Sequence, residues 1–283
     1  ERLLTLKEEQ RKERSARKEM LNSCDIAFLC LPDAAAQEAV ALIENERTRV
    51  IDASTAHRTL PGWQYGFPEL FENGFAKVKN APRVAVPGCH ASGFIALIYP
   101  LIQAGFLEKD ALLTCHSLTG YSGGGKKMIA EYEADKRSRL LDAPRQYGIT
   151  QQHKHLKEMQ AVCGLQNAPV FCPIVAPFYS GMLVTVPLFA KQLKKGGIED
   201  IRRLYAARYG GPLVRYSENS DEAGFLSSNA RQGSDAMEIS VFGNEERLLL
   251  TARYDNLGKG ASGAAIECMN IMLGCDPLTG LEI

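Results

Sequence analysis

Apolar positions in the first part of the chain come in short blocks set between polar, helix-like stretches. Residues 2–6 read as a short strand, and a polar, basic helix follows to about Leu21. Residues 25–31 (Asp-Ile-Ala-Phe-Leu-Cys-Leu) form a continuous apolar run of the kind a buried parallel strand shows, stopped by Pro32 and Asp33. A helix over residues 34–45 carries Ala36, Val40 and Ile43 on its apolar side, and residues 49–52 give another short strand. Strand and helix alternating at this length predict a doubly wound α/β unit.

After Pro87 the texture changes. Longer strand-like segments lie at residues 112–119, 170–176, 181–190, 237–242 and 247–254, the last two flanking a hairpin turn at residues 243–246. Ile201, Leu204, Tyr205 and Arg208 at helical spacing predict a helix over residues 198–209, and the apolar run of residues 260–273 predicts a C-terminal one. Residues 217–235 are polar and read as a loop. This second unit is α+β, built on a largely antiparallel sheet.

Composition narrows the function classes. Apolar content of 45% and charged content of 23% are those of a soluble globular chain of 283 residues. A net charge of zero gives no electrostatic case for nucleic acid or an anionic membrane. No apolar stretch approaches the roughly 20 residues of a membrane span, and the densely charged first 20 residues do not read as a signal peptide. The eight cysteines show no CxxC pair, and most, such as Cys30, sit in apolar runs. They read as reduced thiols of a reducing compartment, which points to the cytoplasm. The adjacent pairs Cys89-His90 and Cys115-His116 lack zinc-framework spacing, so no metal is expected.

Cys89 carries the strongest chemical signal. It follows a strand-like run (residues 83–86) and the Pro87-Gly88 turn, and it opens a long apolar helix. A thiol at a helix N-terminus meets unpaired backbone N–H groups and the positive end of the dipole, which favour thiolate. The proton partner comes from five histidines. His90 is adjacent in sequence but diverges on a helix, and His57 and His116 read as local polar residues at strand ends. His153 and His155, in an extended lead-in to another helix, can share one direction; spacing does not choose between them. The Tyr121-Ser122-Gly123-Gly124-Gly125-Lys126-Lys127 loop leads from strand to helix and suits an anion, without P-loop spacing. Arg58, after a parallel strand, offers a bidentate fork, and Asn256 offers both a donor and an acceptor to a carboxamide.

Six segments, in order along the chain, carry a family resemblance: VIDASTAHR (50–58), YGFPEL (65–70), VPGCHASGF (86–94), GYSGGGKK (120–127), QQHKH (151–155) and DNLGKGASGAAIECMN (255–270). Together they resemble the N-acetyl-gamma-glutamyl-phosphate reductases in their shorter, type 2 form; the cysteine turn alone is shared with aspartate-semialdehyde dehydrogenases. The resemblance implies a Rossmann-like cofactor domain formed by residues 1–88 and 257–283. Into it is inserted an α+β catalytic and dimerisation domain of glyceraldehyde-3-phosphate dehydrogenase type, residues 89–256. It implies reduction of N-acetyl-glutamyl 5-phosphate to the semialdehyde with NADP(H), through a Cys89 thioacyl intermediate, with His153 or His155 as acid-base. Ser54, Arg58, His90 and Ser122 would contact substrate. Asn256, Gly123, Gly124 and Gly125 would hold cofactor, and Thr5, Lys7, Arg11 and Lys12 would lie near its 2′-phosphate. A homodimer or homotetramer is implied. The family's first strand and glycine-rich NADP loop have no counterpart, so the natural protein is expected to begin upstream of Glu1. Three alternatives stay open: reduction of another acyl phosphate, a cofactor-independent thiol hydrolase or acyltransferase, and a non-catalytic subunit.

Overall fold

The computed structural model describes residues 2–283. After a single 3₁₀ turn, α1 (Arg14–Ser23) leads into β1 (Ile26–Leu29), and α2 (Asp33–Ala41) returns the chain to β2 (Arg49–Asp52). Then come β3 (Gln64–Tyr65), α3 (Gly74–Asn80) and β4 (Arg83–Ala85). The four strands make an all-parallel sheet of order β1-β2-β4-β3, as crossover connections require. Leu29 and Val50 face α1 and α2. Ile51 and Val84 face the opposite layer, where α3 meets the C-terminal helix α8 (Gly263–Leu273). Helices therefore cover both faces, as in a doubly wound sheet.

Two expectations for this sheet are corrected. Residues 2–6 take no regular structure: they join no ladder, and Leu3 is 88% exposed. Strand propensity without a neighbour to share hydrogen bonds does not make a strand. Nor is β1 buried on both faces. Ala27 and Leu29 are buried, but Phe28 is 43% exposed, because α8 reaches Ile51 on β2 and stops short of its register partner Phe28. For the same reason Cys30 is exposed rather than packed in an apolar interior. All eight cysteines are free thiols.

Residues beyond Gly88 build a second sheet. From α4 (Cys89–Gln103) the chain runs through β5 (Thr114–Gly120), α5 (Gly125–Glu133), β6 (Arg145–Gln146), α6 (His155–Cys163), β7 (Val170–Ala176) and β8 (Met182–Phe189). It continues with α7 (Ile198–Arg208), β9 (Val214–Tyr216), β10 (Met237–Gly243) and β11 (Arg247–Tyr254). The order is β6-β7-β5-β8-β11-β10-β9, with parallel pairing only between β5 and β7 and between β10 and β9. The period-2 pattern of β8 turns Met182, Val184, Val186 and Leu188 inward, onto α4 and the core beneath it. No helix of the described residues is long and apolar enough to cross a membrane.

Helix α4 runs through the middle of this core, and every residue from His90 to Ile98 is buried. Pro100 inside it has no N–H to give to the carbonyl four residues back. The buried Tyr209 hydroxyl donates to that Ala96 carbonyl at 2.6 Å instead, so α7 repairs the defect and locks α4 in place.

Candidate active site

Cys89 is the first residue of α4, and a cleft of about 450 Å³ opens over it. Its carbonyl accepts a hydrogen bond from the Tyr254 hydroxyl, which also accepts from the Gly93 N–H at 3.0 Å. The first turn of the helix is thereby fixed from β11. Burial pushes the Cys89 thiol up; the Arg58 guanidinium and the His90 N–H pull against that without overcoming it. The helix N-terminus alone does not make a thiolate here, because the same packing that orients the sulfur also removes water from it.

Gly88 shows how tightly the partners close in. A Cβ there would lie 2.4 Å from His155 Nε2 and 2.5 Å from Arg58 Nη1, so any larger residue would displace both side chains. His155 is buried, and its Nδ1 has no hydrogen-bond partner. Burial first, then His90 and Arg58, holds its ring well below the ordinary imidazole range, leaving a neutral base. His153 is half-buried, stands 4.8 Å from His155 between ring centroids, and accepts the His155 backbone N–H through Nδ1 at 3.3 Å. Both predicted histidines are in the cleft, but it is His155 whose Nε2 faces the cysteine turn.

His90 also lines the cleft. Its Nδ1 lies 2.6 Å from Ser117 Oγ and its Nε2 2.6 Å from the Tyr147 hydroxyl, so both ring nitrogens are taken by hydroxyls. Burial lowers it to about 3. It is a packed, neutral ring whose two nitrogens are already engaged. His57 is structural: it stacks on Trp63 at 4.1 Å and meets Asp52 Oδ2 at 2.6 Å. His116 lies within β5, not at its end, and is exposed.

Arg58 lines the cleft, gripped by the Val86 and Ala53 carbonyls (2.8 and 2.9 Å) and by Glu158 Oε2 at 3.0 Å. Ser54 does not reach the cleft; its hydroxyl donates to Asp52 at 2.7 Å and shapes the loop that presents Arg58. On the opposite wall are Ser122 and Gly123, Gly124 and Gly125, the last with φ of +72° at the start of α5. Asn256 also lines it, but its carbonyl accepts the Gly181 N–H and its amide donates to Ser122 Oγ, both at 2.9 Å. The side chain expected to meet a carboxamide thus mainly ties two loops together. Thr5, Lys7, Arg11 and Lys12 are exposed and outside the cleft, and among the described residues none of the three cations has an ion-pair partner.

Sequence reasoning missed Glu158, Tyr147 and Tyr254. Glu158 is 3% exposed and accepts from Tyr65, from Arg58 and from the Gly88 N–H. Its i,i+3 spacing from His155 was the one available signal, since those positions share a helix face.

Two family models match the chain: semialdehyde dehydrogenase, dimerisation domain, over residues 89–256, and semialdehyde dehydrogenase, NAD binding domain, over residues 4–78. The chain is 44% identical to an N-acetyl-gamma-glutamyl-phosphate reductase of Rhizobium meliloti, across 96% of this chain and 90% of that protein. It is 41% identical to an N-acetyl-gamma-glutamyl-phosphate reductase 2 of Nostoc sp., across 99% and 91%. Among solved structures, aspartate semialdehyde dehydrogenase II of Vibrio cholerae superposes with a TM-score of 0.68 at 15% identity, covering 90% of this chain and 81% of that one. The Francisella tularensis aspartate semialdehyde dehydrogenase gives 0.67 at 15%, covering 90% and 84%. At such identity the superpositions speak for the fold alone, but relatives above 40% over nearly the whole length settle the lineage. The chain belongs to the N-acetyl-gamma-glutamyl-phosphate reductase family, oxidoreductases on the semialdehyde dehydrogenase fold.

Proposed function

We propose that this chain reduces N-acetyl-glutamyl 5-phosphate to the corresponding semialdehyde with release of phosphate, and that Cys89 is the nucleophile. The observation that carries the assignment is Cys89 at the head of α4, under a cleft, with His155 Nε2 directed at the preceding residue. The neutral His155 takes the proton from Sγ as the sulfur attacks the acyl carbon. The carbon–oxygen bond to phosphate breaks, phosphate leaves with the electron pair, and the acyl group stays on Cys89 as a thioester. When the sulfur later departs with the aldehyde product, His155 returns the proton to it. Arg58 and the N–H groups at the start of α5 bind the anionic ends of the substrate. Ser122 completes that wall.

The match to an NAD binding domain supports a nicotinamide cofactor and counts against a cofactor-independent hydrolase. The chain's residues fit such a group. The carboxyl end of β2 leads into the cleft, with Ala53 in its wall, and Lys7, Arg11 and Lys12 stand without ion-pair partners among the described residues. Those three, beside Thr5, would hold a 2′-phosphate and so select NADP. Gly123, Gly124, Gly125 and the loop at Asn256 would bound the nicotinamide end. The nicotinamide, when bound, supplies the hydride. In this reading residues 1–88 and 257–283 serve the cofactor, residues 89–256 serve catalysis and pairing of subunits, and the enzyme works in the cytoplasm.

The test is NADPH consumption, followed by its absorbance, with N-acetyl-glutamyl phosphate. Turnover present in the protein and abolished in Cys89→Ser is the expected result. Turnover surviving the substitution would remove Cys89 from the mechanism.

A further inference from the structure

The Gly258–Ser262 turn, one turn of π-helix, forms a wall of the cleft: a Cβ on Gly260 would stand 3.2 Å from Cys89 Cβ. Lys259 beside it is 3% exposed and points into the protein. Its Nζ meets Glu69 Oε1 at 2.6 Å, contacts Glu267 Oε2, and lies 5.2 Å from the centre of the Phe67 ring. Glu69 comes from the 3₁₀ turn Pro68–Leu70 and Glu267 from α8. Each carboxylate has a second oxygen, Glu69 Oε2 and Glu267 Oε1, that is buried without a donor. Two carboxylates on one buried ammonium leave a net negative charge and two unsatisfied acceptors. One proton held between them removes both penalties.

We propose that Lys259 is a positioning residue that holds the Gly258–Ser262 turn against Cys89, and that Glu69 and Glu267 keep one proton between them to maintain the grip. The inference rests on Cys89 being the nucleophile.

The surroundings leave the proton to this pair. Neither carboxylate meets a cation other than Lys259 within ion-pair distance among the described residues. Cys268 is next to Glu267 on α8, and Arg208, with its guanidinium on the Leu70 carbonyl, and Asp276 share a second cavity with the two glutamates. Tyr209 lies near Glu69 and Asp235 near Lys259. Lys77 and Lys79 on α3 are exposed, Arg49 on β2 donates to the Met272 carbonyl at the far end of α8, and α4 carries no Asp, Glu, Lys or Arg, its titratable groups being Cys89, His90 and Tyr99. Burial first, then Glu69, raises the Glu267 carboxyl to about 8. Burial opposes the charge on Lys259, but Glu267 and Glu69 outweigh it and hold the ammonium protonated.

The readout is the alkylation rate of Cys89 by iodoacetamide, located by peptide mass mapping, against pH. In the unaltered protein the rate should climb above about 8 more steeply than one thiol ionisation allows, as the pair loses its proton and the turn loosens. Glu267→Gln places an amide donor toward Glu69 and a carbonyl toward Lys259, so its profile should follow a single ionisation. Lys259→Met, with folding checked by its unfolding midpoint, should speed Cys89 alkylation at neutral pH by about tenfold. Identical profiles for the unaltered protein and Glu267→Gln would overturn the proposal. Turnover by Cys89→Ser would instead sink the nucleophile assignment, so the two failures are separable.

Discussion

Glu158 Oε1 accepts the backbone N–H of Gly88 at 2.8 Å, so a carboxylate on α6 sets the peptide immediately before Cys89, the proposed nucleophile. Oε2 holds Arg58, and the Tyr65 hydroxyl, from the neighbouring unit, donates to the same Oε1 that accepts Gly88. Glu158→Ala strands a buried guanidinium and should destabilise the fold by about 3–5 kcal/mol, read by urea unfolding. Glu158→Gln keeps the shape but turns an amide N–H toward Arg58 or Gly88. A shift of about 1 Å at the nucleophile can cost on the order of 10²-fold, so kcat should fall by that order with smaller effect on stability. Full activity in Glu158→Gln would show that the carboxylate is only a structural anchor.

The two histidines should separate cleanly. His155 is buried, neutral and directed at Gly88, whereas His153 is half-buried and serves as its backbone acceptor. His155→Asn should lower kcat by on the order of 10²–10⁴, the usual worth of a positioned acid-base. His153→Asn, which can still accept the His155 N–H through its side-chain oxygen, should cost much less. The opposite ranking in steady-state kinetics would reassign the base.

Much of this was legible before any coordinates, and for definable reasons. The five longer strands of the second sheet and the cysteine turn announce themselves because short-range pattern decides them: β7 and β11 fall where alternation and turn residues put them, whereas the short edge strands β6 and β9 carry too few residues to show a pattern. The other failures depend on partners distant in sequence. Residues 2–6 look like a strand but have no neighbour, and Phe28 looks buried but lies beyond the reach of α8. His90 sits in the most telling motif of the chain, but its engagement by Ser117 and Tyr147 is set by residues distant in sequence. Tyr254 grips Cys89 across 165 positions of sequence, a relationship that no local pattern encodes.

His90 also sets an expectation for acid stability. Its ring titrates at about 3 in the fold, against an ordinary value of 6.5, with burial as the main cause and His153 next. Between those values the unfolded chain binds a proton that the folded chain refuses. Unfolding free energy therefore rises with pH across this window and is lost as pH falls below 6.5. The limiting slope is about 1.4 kcal/mol per pH unit for each such histidine. His155, depressed in the same direction, adds to it. Urea titrations at a series of pH values should show this slope, and His90→Gln should reduce it. A variant as acid-sensitive as the parent would move the effect to other groups.

The outer face of the seven-stranded sheet carries the last expectation. Ile174, Leu118 and Leu183 stand side by side in register on β7, β5 and β8, half-buried with no helix over them. Phe189 and Leu249 extend the apolar surface and are 54% and 44% exposed. A sheet face of this kind is costly in water, and the match to a dimerisation domain over residues 89–256 supports a second copy as its cover. Leu118→Asp puts a carboxylate in the middle of that row, where burial against a partner would leave it unpaired. The inward-facing core on the other side, with Met182, Val184 and α4, is untouched. Sedimentation velocity should show the parent as a dimer or larger and the variant shifted toward monomer, with dissociation strengthened by about 30-fold or more for a central position. Unchanged sedimentation with a normal unfolding midpoint would place the subunit contact on another surface.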